Sequence, residues 1–147
     1  MKVLTIRQPW ATLIMLGYKR FEFRNWPTKY RGKLLIHAGK TVDKEASERL
    51  KKYLPPELPI GKILGKVNLV DCIKCDEKLK SECLKENPDV YAKSSFEERY
   101  AWQLTDLQVF EKPLEVNGKL GLWNYDIWIL KNEYYPLFIF ILQIINT

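Results

Sequence analysis

Apolar and polar residues change period along this chain, and each change marks an element. Val3 to Ile6 is a short β-prone run. Pro9 suits the first turn of a helix, so Pro-Trp-Ala-Thr-Leu-Ile-Met-Leu over 9–16 is expected to be helical, with Gly17 at the position after its C-cap. Lys19 to Arg24 then alternates: Phe21 and Phe23 point one way, and Arg20, Glu22 and Arg24 the other. That pattern predicts a strand with one buried and one polar face. Asn25 to Gly32 is a loop by its Pro and Gly, and Lys33 to Ala38 is the next strand.

Thr41 or Asp43 can cap a helix running to about Tyr53, where Pro55, Pro56 and Pro59 stop it. Ile63 to Ile73 reads as a long strand with a possible bulge at Gly65. Lys74 to Ser95 is polar and charged and is expected to hold a short helix and a flexible loop. Ala101 to Phe110 and Leu120 to Ile127 are the last strands, with Pro113 and Gly118 between them. Five or six strands with two early helices predict an α+β fold, a small mixed β-barrel. A doubly wound sheet is excluded because no regular crossover helices separate the strands. The expected domain spans 1–127. Residues 128–147 form an apolar C-terminal extension, expected to pack on the domain or on a partner.

That extension includes Tyr134 to Ile145, nearly all apolar but interrupted by Pro136 and Gln143. It is shorter than the roughly 18 residues a membrane span requires, so no membrane span is expected. A homodimer through this segment is one expectation for it. Met1 leads directly into a short strand-like run rather than a signal peptide, and a cytoplasmic location is expected.

The 147 residues carry 24 Lys and Arg against 18 Asp and Glu, a net charge of +6. A basic domain of this size suits a polyanion such as nucleic acid, although a Lys-rich enzyme surface gives the same count. Three cysteines occur, Cys72, Cys75 and Cys83. An odd count does not make a disulfide framework. Zinc at Cys72-x-x-Cys75 would need a second ligand pair, and only Cys83 and the distant His37 remain. No metal and no cofactor are expected.

The candidate chemistry lies in the first forty residues. Lys19, Glu22 and Arg24 place a carboxylate between two cations, an arrangement that tunes a carboxyl or a lysine pKa and suits proton transfer or oxyanion stabilisation. Trp10, Trp26 and Tyr30 offer faces for stacking a base. Arg31, Lys29 and Lys40 can neutralise phosphate. A plainer arrangement fits the same residues: an exposed Glu22–Arg24 ion pair, Trp10 in the core, and His37 as a hydrogen-bonded core histidine.

The run Leu-Thr-Ile-Arg-Gln-Pro-Trp-Ala over 4–11, with Lys19-x-x-Glu22-x-Arg24-x-Trp26-x-Thr28-x-Tyr30-Arg31-Gly32 and Leu35-Ile36-His37-Ala38-Gly39-Lys40, resembles the N-terminal half of ASCH domains. Tyr100-Ala-Trp102 and Gly118-x-x-Gly121-Leu-Trp123 resemble the family's later strands. The resemblance covers about residues 3–126. It implies a PUA-like barrel with a cleft above Gln8, Lys19, Glu22 and Arg24, and binding of RNA or a modified nucleoside. The expected binding residues are Gln8, Trp10, Trp26, Thr28, Tyr30, Arg31, His37 and Lys40. Small bacterial members of the family hydrolyse N4-acetylcytidine with a Lys, a Thr three residues later and a distant Glu. Lys19 matches the Lys, Glu22 stands where the Thr would be, and Glu97 or Glu98 could supply the distant carboxylate. Other members are described as ribonucleases using Lys, Tyr and Ser, for which Tyr30 and Ser95 are candidates by residue type. Three functions follow from the sequence: binding of RNA or a modified nucleoside, an amidohydrolase, and a protein-interaction domain.

Overall fold

The computed structural model describes residues 1–126. The elements are β1 (Lys2–Gln8), α1 (Trp10–Met15), β2 (Phe21–Arg24), β3 (Gly32–Val42), α2 (Lys44–Arg49), a 3-10 turn (Lys51–Tyr53), β4 (Lys62–Lys74), α3 (Glu77–Glu86), α4 (Pro88–Tyr91), β5 (Tyr100–Glu115) and β6 (Leu122–Asn124). The expected extension over 128–147 lies outside the described residues. No helix among the described residues is long and apolar enough to cross a membrane.

The strands form one six-stranded sheet in the order β2-β5-β4-β3-β1-β6. β1 and β3 run parallel and the other pairs antiparallel. A parallel pair needs a long crossover, and here the connection carries α1 and β2. The fold is α+β. Among the described residues the hydrogen-bond ladder runs from β2 to β6 without closing on itself, so the expected barrel is an open sheet in its strand pairing. Outside that ladder, the Arg24 side chain on β2 reaches the β1 backbone at Thr5, 2.7 Å away.

Both faces of the central strands are covered. Leu4, Ile6, Leu34 and Ile36 enter one cluster with Ile14 and Met15 of α1. Their neighbours Val3 and Leu35 point the other way, onto Ile63, Leu114 and Trp123. The strand period of two thus feeds two cores at once. α1 is buried along Ala11 to Met15, and Leu13 joins a third cluster with Phe21 and the helices α3 and α4. Gly17 follows α1 at φ +86°, the left-handed geometry that glycine adopts without strain. Gly65 sits at a register shift in the β4–β5 pairing. A Cβ there would lie 2.4 Å from the Gln108 carbonyl and 2.5 Å from Met15, so glycine is what lets α1 press on the sheet.

Several elements differ from the sequence reading. Asp43, and not Thr41, caps α2, its carboxylate accepting the Ala46 N–H at 3.0 Å. Residues 74–95 hold two helices, each capped by a side chain: Asp76 accepts from Leu79 N–H and Asn87 from Val90 N–H. Pro113 lies inside β5 rather than between strands. The described part of the expected last strand is only Leu122–Asn124.

A candidate nucleic-acid cleft

The first turn of β2 is held from two sides. The buried Tyr91 hydroxyl on α4 accepts the backbone N–H groups of Arg20 at 3.1 Å and Phe21 at 3.3 Å. On the other side, Glu22 pairs across to Trp102 of β5. This fixes Lys19, Glu22 and Arg24 at the base of a cleft of about 740 Å3 between β2, the ends of β1 and β3, and the 93–99 loop.

Lys19 is 3% exposed and Glu22 7%. The face of β2 expected to be polar thus holds a buried charge cluster, not an exposed Glu22–Arg24 ion pair. Lys19 Nζ donates to the Phe21 carbonyl and to Glu22 Oε1 at 3.2 Å. It also stands 4.9 Å from the centroid of the Phe23 ring and 5.8 Å from that of Trp10. Glu22 Oε1 also accepts the Phe23 N–H at 3.1 Å, and Oε2 accepts from Arg24 Nη2 at 3.3 Å.

Burial pushes the Lys19 ammonium below the usual lysine range, and Glu22 opposes that only in part. Burial would push Glu22 up, but the charges of Lys19 and Arg24 and the bonds to its oxygens outweigh it and hold the carboxyl below its usual range. The floor therefore keeps an ionised carboxylate between two cations.

The structure brings together Trp10, Lys19, Glu22, Arg24, Trp26 and Lys40 from the expected set. Trp26 is half-buried, with its ring edge-on to Trp102 at 4.8 Å. The remaining expected residues lie elsewhere. Gln8 is fully buried and spends its amide on Thr12 and on the Pro59 carbonyl, at 2.7 to 3.0 Å. Thr28 accepts the Tyr30 N–H, and the Tyr30 hydroxyl donates to the Lys33 carbonyl. Arg31 braces its own loop and approaches Asp71 at 3.5 Å.

His37 is buried beneath the segment leading to β6. Its Nε2 lies 2.7 Å from the Val116 carbonyl, which can only accept, so Nε2 carries the proton. Nδ1 lies 3.3 Å from Thr5 Oγ1. Burial lowers the imidazole pKa, with the Val116 bond opposing. Glu97 and Glu98 line an adjoining hollow with Asn25, Ser95 and Arg99, not the cleft that holds Lys19.

The sequence reading missed Arg7, Lys93 and Arg99, which also line the cleft. Arg7 is paired with Asp43 at 2.9 Å and Lys93 with Glu45 at 2.8 Å. Lys40 and Arg99 have no ion-pair partner among the described residues. Ser95, named for its type alone, lies on the wall beside Ser94. Nothing local to the β2 motif points to a loop seventy residues downstream.

The ASCH domain family model matches residues 4–114, three quarters of the chain and every residue that lines the cleft. The chain belongs to the ASCH domain family. This family has a PUA-like fold and is associated with RNA binding. Activating signal cointegrator 1 of Homo sapiens and of Mus musculus are each 31% identical to it over 134 residues, covering 84% of this chain. The chain spans only 22% of the length of those relatives. Among solved structures, an ASCH protein from Zymomonas mobilis has a TM-score of 0.58 at 17% identity, covering 89% of this chain and 92% of that one. A Tyr-to-Phe variant of it has a TM-score of 0.59 at 19% identity, covering 89% and 94%. These two likenesses are of the ASCH fold.

Proposed function

We propose that this ASCH domain binds single-stranded RNA, or a modified nucleoside, by holding one nucleotide in the cleft. The observation that carries the reading is the charge of the lining: among the described residues Arg7, Lys19, Arg24, Lys40, Lys93 and Arg99 line the cleft with one carboxylate, Glu22, and only Arg7 and Lys93 pair with acids outside it, Asp43 and Glu45. A concave site with that excess attracts phosphate. The half-buried rings of Trp10 and Trp26 supply stacking surfaces, worth about 1–3 kcal/mol per base. The volume is within the range of small-ligand pockets, so it suits one extruded nucleotide and not a duplex. We read the Arg24–Thr5 bridge as what gives the open ladder a barrel-like curl around that cleft. Titrating the protein into labelled single-stranded and duplex RNA of matched length tests the reading. Tighter binding of the single strand is expected; equal binding of the duplex would overturn it.

A second reading is favoured by one observation: Lys19, with its lowered pKa, bonds Glu22 inside the cleft. That pair could serve an amidohydrolase acting on N4-acetylcytidine-like nucleosides, with Lys19 as base, Glu22 as proton carrier and Arg24 at the developing oxyanion. Chromatography of such nucleosides after incubation with wild type and Lys19→Ala decides it. Release by the wild type alone supports hydrolysis, and no release leaves the cleft as a recognition pocket.

A further inference from the structure

Between α4 and β5 the chain runs from Ala92 to Arg99 as Ala-Lys-Ser-Ser-Phe-Glu-Glu-Arg, and Phe96 is its one large apolar residue. Both ends of this loop are tied to the fold. The Ser94 N–H donates to the Tyr91 carbonyl at 3.0 Å, and the Arg99 carbonyl accepts the Cys75 N–H at 2.9 Å. Between these ties Phe96 is half-buried, while Ser95, Glu97 and Glu98 are exposed. Its ring meets Phe23 of β2 edge-on, with centroids 5.0 Å apart. Phe23 also meets the Tyr91 ring edge-on at 5.9 Å, and Lys19 Nζ stands 4.9 Å from its centroid. The buried floor and the loop thus share one ring, Phe23. Glu98 stands at φ +51°, a left-handed conformation that a residue other than glycine keeps only where its surroundings hold it.

We infer that Phe96 is a positioning residue for the nucleotide site: seated on Phe23, it sets the course of the loop so that Arg99 faces the cleft and meets the phosphate. The inference rests on the nucleotide-binding reading above. Phe96 lines neither the cleft nor the adjoining hollow, so it reaches a ligand only through other residues. Arg99 lines both and has no ion-pair partner among the described residues, so the loop, and not a salt bridge, decides where its charge lies. Lys93, at the other end, is held by Glu45 at 2.8 Å. Of the side chains between the two ties only Phe96 gains by leaving water, which makes its ring the anchor of the stretch.

The test is the affinity of a labelled single-stranded RNA over a range of salt for the wild type, Phe96→Ala, Arg99→Ala and the double variant. Arg99→Ala should make the log–log slope shallower by about 0.7, the share of one charge on a single strand. Phe96→Ala removes no charge, yet it is expected to move the slope the same way and by up to the same amount. The double variant should go no further than Arg99→Ala alone, because the two residues act as one unit. Phe96→Tyr keeps the ring and should keep the wild-type slope. A side chain that served stability alone would lower the urea midpoint and leave the slope where it is. An unchanged slope in Phe96→Ala or in Arg99→Ala, or losses that add in the double variant, would overturn the inference and leave RNA binding standing. Failure of the wild type to bind the RNA would overturn both. Should Phe96→Ala fold poorly, Phe96→Leu takes its place, with part of the shift expected and no shift overturning the inference.

Discussion

Arg24 Nη2 lies 2.7 Å from the Thr5 carbonyl oxygen, and this contact joins β2 to β1, which β5, β4 and β3 separate in the sheet order. One side chain thus holds together the two strands that flank the cleft and also supplies charge to its floor. Arg24→Met removes the donor and one partner of Glu22. A charge-assisted bond of this kind contributes about 1.5–3 kcal/mol, so urea unfolding should show a loss of that size, together with weaker RNA binding.

Glu22 is the hub of the floor. Glu22→Leu leaves Lys19 as a buried cation without its carboxylate, which costs about 3–5 kcal/mol. The double variant Lys19→Met/Glu22→Leu should lose less than the sum of the two single changes, because the second removes the charge stranded by the first. Additive losses in a double-mutant cycle would contradict the pairing.

Two groups shape the dependence of stability on acid. The folded pKa of Glu22 lies below its ordinary value. Its contribution is therefore complete above the unfolded carboxyl value of about 4.3 and is lost as pH falls through the lower folded value. His37 is a base with a lowered pKa. The unfolded chain takes up the proton first, so stability falls as pH drops below about 6.5. Urea midpoints between pH 7 and pH 5 should decline for the wild type and stay flatter for His37→Gln. The part below pH 4.3 should be missing in Glu22→Gln.

Gly65→Ala places a methyl group 2.4 Å from the Gln108 carbonyl and 3.1 Å from the Val109 Cα. Backbone on that side cannot rotate away. Overpacking of this kind costs about 1–3 kcal/mol, and a thermal melt should show it as a lowered midpoint. An unchanged midpoint would mean that the β5 backbone does not approach Gly65 as closely as described.

What the sequence made legible was local. Lys19, Glu22 and Arg24 fall within six residues, so strand alternation alone placed Glu22 and Arg24 on one face. Alternation could not say what covers that face. Residues of the 93–99 loop line the cleft beside it, while α3 and α4 cover the Phe21 and Phe23 side, where the Tyr91 hydroxyl holds the start of β2. Gln8 carried a plausible ligand chemistry, yet its amide closes on Thr12 and on Pro59, the latter 51 residues away in sequence. His37 was open to both readings until the Val116 carbonyl was placed beside it. Arg99 and Lys93 had no pattern to mark them, because only the folded β2–β5 pairing carries their loop to the cleft. Pro113 read as a strand breaker. It is tolerated in β5 because β2 pairs only with Tyr100 to Gln103, and a proline fits where no neighbouring strand needs its N–H.

Nucleic-acid binding in the cleft is the central claim, and the salt dependence of RNA affinity tests it most directly. Fluorescence anisotropy with a short single-stranded RNA would be recorded over a range of salt for the wild type and for Lys40→Ala/Arg99→Ala. The wild type should bind with a clear negative log–log slope, and removing two rim cations should make that slope shallower by about 1.4, near 0.7 for each charge on a single strand. The same affinity and the same slope in both proteins would contradict the account, because the phosphates would then be bound somewhere other than this cleft.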